Sequence, residues 1–227
     1  MSKKIKMVVF DMAGTTVNED NIVYKTVREA VNAAGFDFTL DEVLAEGAGK
    51  EKLQAIKSIL STYDNNTDEE LANEIYLNFS KKLTIAYQNA TLSPQPNAEE
   101  LFSTLKERGI LTILNTGYQR TVAESIIEKL DWHEGTEYDK LITATDVKGS
   151  RPEPDMILYA AEQFSVEPSE IIKIGDSIID IQEGKNAGCA LSIGITTGAH
   201  TTEQLQSANP DYIIDNLLEL LPIIDKY

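Results

Sequence analysis

Five short apolar runs, each ended at once by small or polar turn residues, constrain this chain more than any other feature of it. Residues 6–10 (KMVVF) run into Asp11, Ala13, Gly14 and Thr15. Residues 111–114 (LTIL) lead into Asn115, Thr116 and Gly117, and residues 141–143 lead into Asp146. Residues 171–174 (IIKI) lead into Gly175 and Asp176, and residues 190–195 (ALSIGI) into Thr196, Thr197 and Gly198. Most of the runs are separated by helix-period stretches, at 98–106, 121–130, 154–164 and 180–187. Strands alternating with helices predict an α/β fold, a doubly wound parallel sheet with helices on both faces. The polar residues then fall at the carboxyl ends of the strands, where open α/β sheets place their ligands.

One stretch breaks the alternation. Between about 18 and 92 the periodicity is only helical. Tyr24, Val27, Val31 and Ala34 form one apolar stripe, and Leu53, Ile56, Ile59 and Leu60 form a second. Leu71, Ile75, Phe79 and Leu83 form a third, and all three read as core packing. The stretch closes on Ser93-Pro94-Gln95-Pro96, whose prolines stiffen a connection. A chain of 227 residues is long enough for a core with an insertion. The expected organisation is an α/β core from 1–17 and 93–227, with a smaller all-helical cap, 18–92, over the active edge of the sheet.

Charge narrows the partners. A formal net charge of -17 repels nucleic acid and the anionic membrane leaflet, so neither is expected. An anionic substrate then needs a metal or a few local cations to reverse the field. Cys189 is the one cysteine, which rules out an intramolecular disulfide and a Cys-based zinc cluster. The start Met1-Ser2-Lys3-Lys4 is basic, but the apolar run after it stops at Asp11, too short for a signal peptide or a membrane span. The chain is therefore read as cytoplasmic, and a homodimer is left open.

The strand ends carry the chemistry. Asp11 follows the first run, with Gly14 permitting a tight turn and close backbone approach. Thr15 can offer a hydroxyl or an N–H to an anion. Asp176 and Asp180 are spaced by one helical turn if a helix begins near Ser177, and can face Asp11 across neighbouring strands. Carboxylates converging in this way repel one another unless a hard cation lies between them, and magnesium, with oxygen ligands and retained waters, suits such a set. Thr116 and Gly117 place a hydroxyl and an N–H for a phosphoryl oxygen, and Arg151 supplies a planar cation for phosphate.

Together and in this order, these residues resemble the four motifs of the haloacid dehalogenase superfamily, and the helical insertion falls where that superfamily places its C1 cap. Within it the chain is most similar to the phosphonatases, which hydrolyse phosphonoacetaldehyde. The first motif matches at Phe10-Asp11-x-Ala13-Gly14-Thr15-Thr16-Val17 and the second at Thr116-Gly117-Tyr118-x-Arg120. The third matches at Gly149-x-Arg151-Pro152-x-Pro154 and the fourth from Lys173-x-Gly175-Asp176 through Asp180 to Asn186. The resemblance implies Asp11 as nucleophile and magnesium held by Asp11, the Ala13 carbonyl and Asp176, with Asp180 direct or through water. It implies Thr116 and Arg151 as stabilisers of the transferring group, with Gly14, Thr15, Gly117 and Tyr118 around the substrate.

Ala13 is the informative position. Phosphatases of the superfamily carry an acid/base aspartate there, whereas the phosphonatases have alanine and a cap lysine that forms a Schiff base with the substrate aldehyde. The segment Gly49-Lys50-Glu51-Lys52 places Lys52 as that lysine, with Lys50 as a cationic neighbour able to depress its pKa. Ala55 and Ala48 stand where the phosphonatases have a histidine and a methionine, so the cap matches only in part. His133 and His200 lie elsewhere in the chain and are read as surface residues. Three functions follow as expectations: hydrolysis of a small phosphonate such as phosphonoacetaldehyde, hydrolysis of a small phosphate ester such as phosphoglycolate, or a weakly catalytic binding or regulatory role.

Overall fold

All five apolar runs become strands in the computed structural model, which describes residues 4–227; Met1, Ser2 and Lys3 of the basic start lie outside the described residues. The chain begins with β1 (Met7–Asp11) and β2 (Val17–Asn18). Four helices follow, α1 (Ile22–Ala33), α2 (Leu40–Gly47), α3 (Lys52–Asp64) and α4 (Glu69–Asn89). After β3 (Ser93–Pro94) the chain alternates: α5 (Ala98–Glu107), β4 (Leu111–Thr116), α6 (Arg120–Leu130), β5 (Lys140–Thr143), α7 (Asp155–Phe164) and β6 (Ile171–Gly175). It ends through α8 (Ile178–Ala187), β7 (Leu191–Ile195), α9 (Thr202–Ser207), β8 (Tyr212–Ile214) and α10 (Leu220–Ile224).

The large sheet has the order β5-β4-β1-β6-β7-β8 and is parallel throughout. Every residue of β1, β6 and β7 is buried, because helices cover both faces. The central strand is β1, with Phe10 opposite Leu114 on one side and Ile174 on the other. Phe10 meets Phe102 edge-on at 5.5 Å, and Phe102 meets Trp132 at 5.3 Å. Each such aromatic pair adds about 0.5–1.5 kcal/mol beyond burial. This stack pins the strand that ends in Asp11 against α5.

The chain leaves the sheet and returns to it through one antiparallel ribbon, β2 with β3, in which Val17 lies opposite Pro94. Between its two strands the described residues are helical only. Helix α2 goes beyond the three apolar stripes: it is eight residues long with only Val43 and Gly47 buried, too short to show a period. Its start is held by Thr39 and Glu42 in a reciprocal capping box, and α4 by the Asp68 carboxylate accepting from Glu70 and Leu71 N–H. Caps of this kind contribute about 1 kcal/mol each. Strand β8 adds an edge strand outside the five apolar runs, with only Ile214 of its three residues fully buried. Among the described residues no helix is long and apolar enough to cross a membrane.

Candidate active site

Asp11 ends β1 and lies opposite Asn115 on β4, so two strand ends deliver polar side chains to one point. The next turn reverses the chain: Gly14 N–H donates to Val17 O at 2.9 Å, Val17 N–H to Met12 O at 2.8 Å, and Thr16 Oγ1 to Asp11 O at 3.1 Å. Gly14 has φ of 84°, and a Cβ there would lie 2.4 Å from Asp176 Oδ2. A Cβ on Gly198 would lie 1.9 Å from the same oxygen. Two glycines thus form the slot that holds the Asp176 carboxyl, which accepts from Ala199 N–H at 2.6 Å.

A charge network lies beneath Asp11. Arg151 Nη1 is 2.6 Å from Asp11 Oδ1 and 3.0 Å from Asp180 Oδ1, and its Nε is 3.0 Å from Glu183 Oε2. Lys173 Nζ is 3.0 Å from Asp180 and 3.3 Å from Glu183, and it donates to Asn115 Oδ1 at 2.7 Å. Burial pushes the Asp180 carboxyl up, but the charges of Arg151 and Lys173 outweigh it and hold it at about 2. Asp11 is raised by burial, with Asp180 adding and Arg151 and Lys173 opposing. Asp176 is raised well above the ordinary carboxylate range, first by burial and then by the charges of Asp11 and Asp180. Among the described residues it has no cation at ion-pair distance.

Four buried carboxyls (Asp11, Asp176, Asp180 and Glu183) therefore face two buried cations, Arg151 and Lys173. The excess of negative charge lies at Asp11 and Asp176, and a divalent cation there would relieve it. Among the described residues no three His, Cys, Asp or Glu side chains gather into one metal shell. Asp180 is turned away, its oxygens engaged by Arg151, Lys173 and Ser177. The set that fits magnesium is two carboxylates and a backbone carbonyl, the rest of its shell being water.

Helix α1, the segment before α3 and the start of α3 build the opposite wall. Lys52, the first residue of α3, is only 6% exposed. Its Nζ donates to Lys50 O at 2.9 Å and lies 4.9 Å from the Tyr24 ring and 5.4 Å from the Tyr118 ring. Burial lowers its pKa to about 8, Arg151 adding and Asp11 and Glu19 opposing. Lys50 does not take the part of depressing neighbour: its ammonium pairs with Glu46 at 3.7 Å. Gly49, at φ of 75°, brings this segment onto the core so closely that a Cβ would lie 2.3 Å from Ser177 Oγ.

One cavity joins the two walls. Asp11, Ala13, Gly49, Lys52, Thr116, Gly117, Tyr118, Arg151 and Asp176 line it, as does Tyr24, and it encloses about 10 Å³, room for about one water. Gly14, Thr15, Lys50 and Asp180 lie outside the lining. Gly14 acts through its slot for Asp176 and Asp180 through its ion pairs, while Thr15 is fully buried with its hydroxyl unpartnered. Two groups were read otherwise. Tyr24, assigned to a packing stripe, accepts from Gly49 N–H at 2.9 Å. Lys173, which opens the fourth motif, is fully buried in β6. His200, read as a surface residue, is buried, with Nδ1 accepting from Ile178 N–H at 3.0 Å and Nε2 3.3 Å from Leu44 O on α2.

A sequence model of the haloacid dehalogenase-like hydrolases matches residues 5–188. A candidate pyrophosphatase, PpaX, of Clostridium perfringens is 29% identical over 98% of both chains. The bifunctional phosphonoacetaldehyde hydrolase/aminoethylphosphonate transaminase of Clostridioides difficile is 34% identical over 99% of this chain, which spans 36% of that protein's length. Among solved structures, a phosphonoacetaldehyde hydrolase-like protein from Oleispira antarctica superposes with a TM-score of 0.85 at 24% identity, over 99% of this chain and 93% of that one.

Proposed function

The chain belongs to the haloacid dehalogenase-like hydrolases, and from that premise we propose that it cleaves the carbon–phosphorus bond of a small phosphonate aldehyde such as phosphonoacetaldehyde. The observation that carries this is Lys52: an amine at about 8, buried in the wall facing Asp11, in a site where Ala13 leaves no acid/base beside the nucleophile. Magnesium, held by Asp11, Asp176 and the Ala13 carbonyl, supplies charge neutralisation at the phosphoryl oxygens when bound.

Lys52, as the neutral amine, adds to the aldehyde carbon, and with one proton taken up from solvent the adduct loses water to give a protonated imine. A carboxylate oxygen of Asp11 attacks phosphorus, and the C–P bond breaks. Its electron pair passes into the protonated imine, which becomes an enamine, so no free carbanion forms. Arg151 and the Thr116 hydroxyl hold the phosphoryl oxygens as charge builds on them. Protonation of the enamine at carbon and addition of water free Lys52 and the aldehyde product. A second water releases phosphate from Asp11. A cavity of about 10 Å³ does not admit a substrate, so α1–α4 must lift from the sheet edge in each cycle.

Borohydride added during turnover of phosphonoacetaldehyde tests the reading, since it reduces an imine to a stable secondary amine. The expected result is a two-carbon adduct on the Lys52 peptide and equal release of aldehyde and phosphate. Absence of the adduct, together with faster hydrolysis of phosphoglycolate, would overturn it in favour of a phosphate ester. That second reading draws on Ala55, which leaves Lys52 without a histidine and free to bind an anionic tail.

A further inference from the structure

A buried carboxylate on the far side of Tyr118 has no part in the steps above. Glu19 lies just past the ribbon strand β2, within the run Asn18-Glu19-Asp20-Asn21, yet it is 3% exposed. Asp20 and Asn21 both adopt left-handed backbone, φ of 51° and 54°, which is uncommon for non-glycine residues and tends to mark functional sites. That double turn points Glu19 inward. Its Oε1 accepts from the Tyr118 hydroxyl at 3.4 Å and its Oε2 from the Tyr87 hydroxyl on α4. Tyr118 in turn presents its ring face to the Lys52 ammonium. On its other side Glu19 lines a second cavity of about 160 Å³ at the ribbon, with Asn18, Asp20, Gln95 and Thr197. That polar cavity gives the carboxyl a route for exchanging its proton.

We propose that Glu19 is a positioning residue for Lys52: the counter-charge, held by Tyr87 and Tyr118, that keeps the lysine's proton available inside a closed site. The inference rests on Lys52 being the reactive amine, and it adds the group that governs when that amine is charged. A buried ammonium without a counter-charge gives up its proton, and an imine nitrogen in the same place does so too, whereas only the protonated imine accepts the C–P electron pair. Glu19 supplies the counter-charge without entering the cavity. Burial raises its own pKa to about 7, against Tyr87, Lys52 and Tyr118, so it titrates in the same range as Lys52. The other groups facing Lys52 are Asp11 and Glu51, which favour its charge, and Arg151, which opposes it. Those facing Glu19 are Tyr87, Tyr118, Lys52 and Asp11.

The test reads the titration of Lys52 directly. Labelling of the full chain by 1-fluoro-2,4-dinitrobenzene, followed at the Lys52 peptide by mass spectrometry across pH 5.5–10 in magnesium, gives the midpoint whether or not an imine forms. Wild type should label with a midpoint near 8, as its buried amine implies. Glu19→Gln should move that midpoint down by at least half a unit, about threefold in labelling rate on the acid side, while Glu19→Asp restores part of the shift. Tyr87→Phe weakens the carboxylate and should move it the same way by less, and it decides the matter if Glu19→Gln does not fold. An unchanged Lys52 midpoint in whichever folded variant is read would overturn the proposal. A shifted midpoint with no borohydride adduct in wild type would leave Glu19 in this role and remove the C–P cleavage reading instead.

Discussion

The two walls of the cavity solve the burial of charge in opposite ways. On the sheet side, Asp11, Arg151, Asp180, Glu183 and Lys173 are cross-linked within 3.3 Å of one another, so that each is fixed by at least one opposite charge. On the helical side, Lys52 has no ion pair among the described residues, only a carbonyl, a hydroxyl and two ring faces. Opposite charges at close range hold Asp180 at about 2, and their scarcity leaves Lys52 at about 8. The paired wall is built to stay charged through a cycle, and the unpaired wall to change charge within it. On the reading proposed above, Asp11 and Arg151 meet the phosphoryl group, which is common to many substrates. On the same reading Lys52 meets what is attached to phosphorus.

That contrast can be broken at several points. Asp11→Asn should reduce turnover by about 10²-fold or more with the circular dichroism spectrum unchanged, because an amide is a poor nucleophile and the strand's packing lies in Phe10 and its neighbours. Turnover near wild type would remove the sheet wall from the chemistry. Chelation should lower activity by a comparable amount, about 10²-fold, and magnesium should restore it. Full activity in excess chelator would mean that the Asp11–Asp176 charge excess is relieved in another way.

Lys52→Arg keeps the charge but cannot form an imine, and should cost at least about tenfold in kcat/KM on phosphonoacetaldehyde. Wild-type kcat/KM should also fall about tenfold per pH unit below the Lys52 value of about 8, since the ammonium is no nucleophile. The arginine variant should lack that limb. Gly49→Ala sharpens the comparison from the other side, since its Cβ would meet Ser177 Oγ at 2.3 Å and Ile179 Cβ at 2.9 Å when the walls close. It should lower kcat/KM by roughly threefold to tenfold through about 1 kcal/mol of strain in the closed form, while magnesium affinity holds. If magnesium affinity falls as well, the walls are not separable. Smallest is His200→Leu, which takes the partner from Ile178 N–H and leaves Leu44 O only its bond from Ala48 N–H. Melting should drop by roughly 2–8 °C for about 1–2 kcal/mol lost, with kcat little changed.

Legibility divided along the same line. Asp11, Thr116 and Asp176 end apolar runs in a parallel sheet, and parallel topology collects strand ends at one edge whatever the side-chain details. The pattern alone therefore points to them. Lys52 sits at a helix start among Gly49, Lys50 and Glu51, where the ordinary expectation is a solvated lysine, and only the resemblance singled it out. Glu19 and His200 carried no signal. The first lies in an Asn-Glu-Asp-Asn run that reads as an exposed turn, and the second in a Thr-Gly-Ala-His-Thr loop. Each is buried by an element distant in sequence, α4 for Glu19 and α2 for His200. Periodicity describes neighbours along a chain, and these burials come from helices that arrive from elsewhere.

The central place of β1 has a further consequence, for the order in which the chain assembles. Met7 pairs with Leu111 on one side and Ile171 on the other, so synthesis from the amino end leaves MVVF without either neighbour until about a hundred residues have followed. Helices α1 to α4 need no such wait, since their contacts are largely with one another. The helical layer can therefore form early, while the strand that carries Asp11 remains an unpaired, apolar, β-prone segment. Edges of that kind are where chains associate with the wrong partner. Substitutions that slow the arrival of β4 or β6 should thus reduce the yield of soluble protein well before they alter the finished molecule.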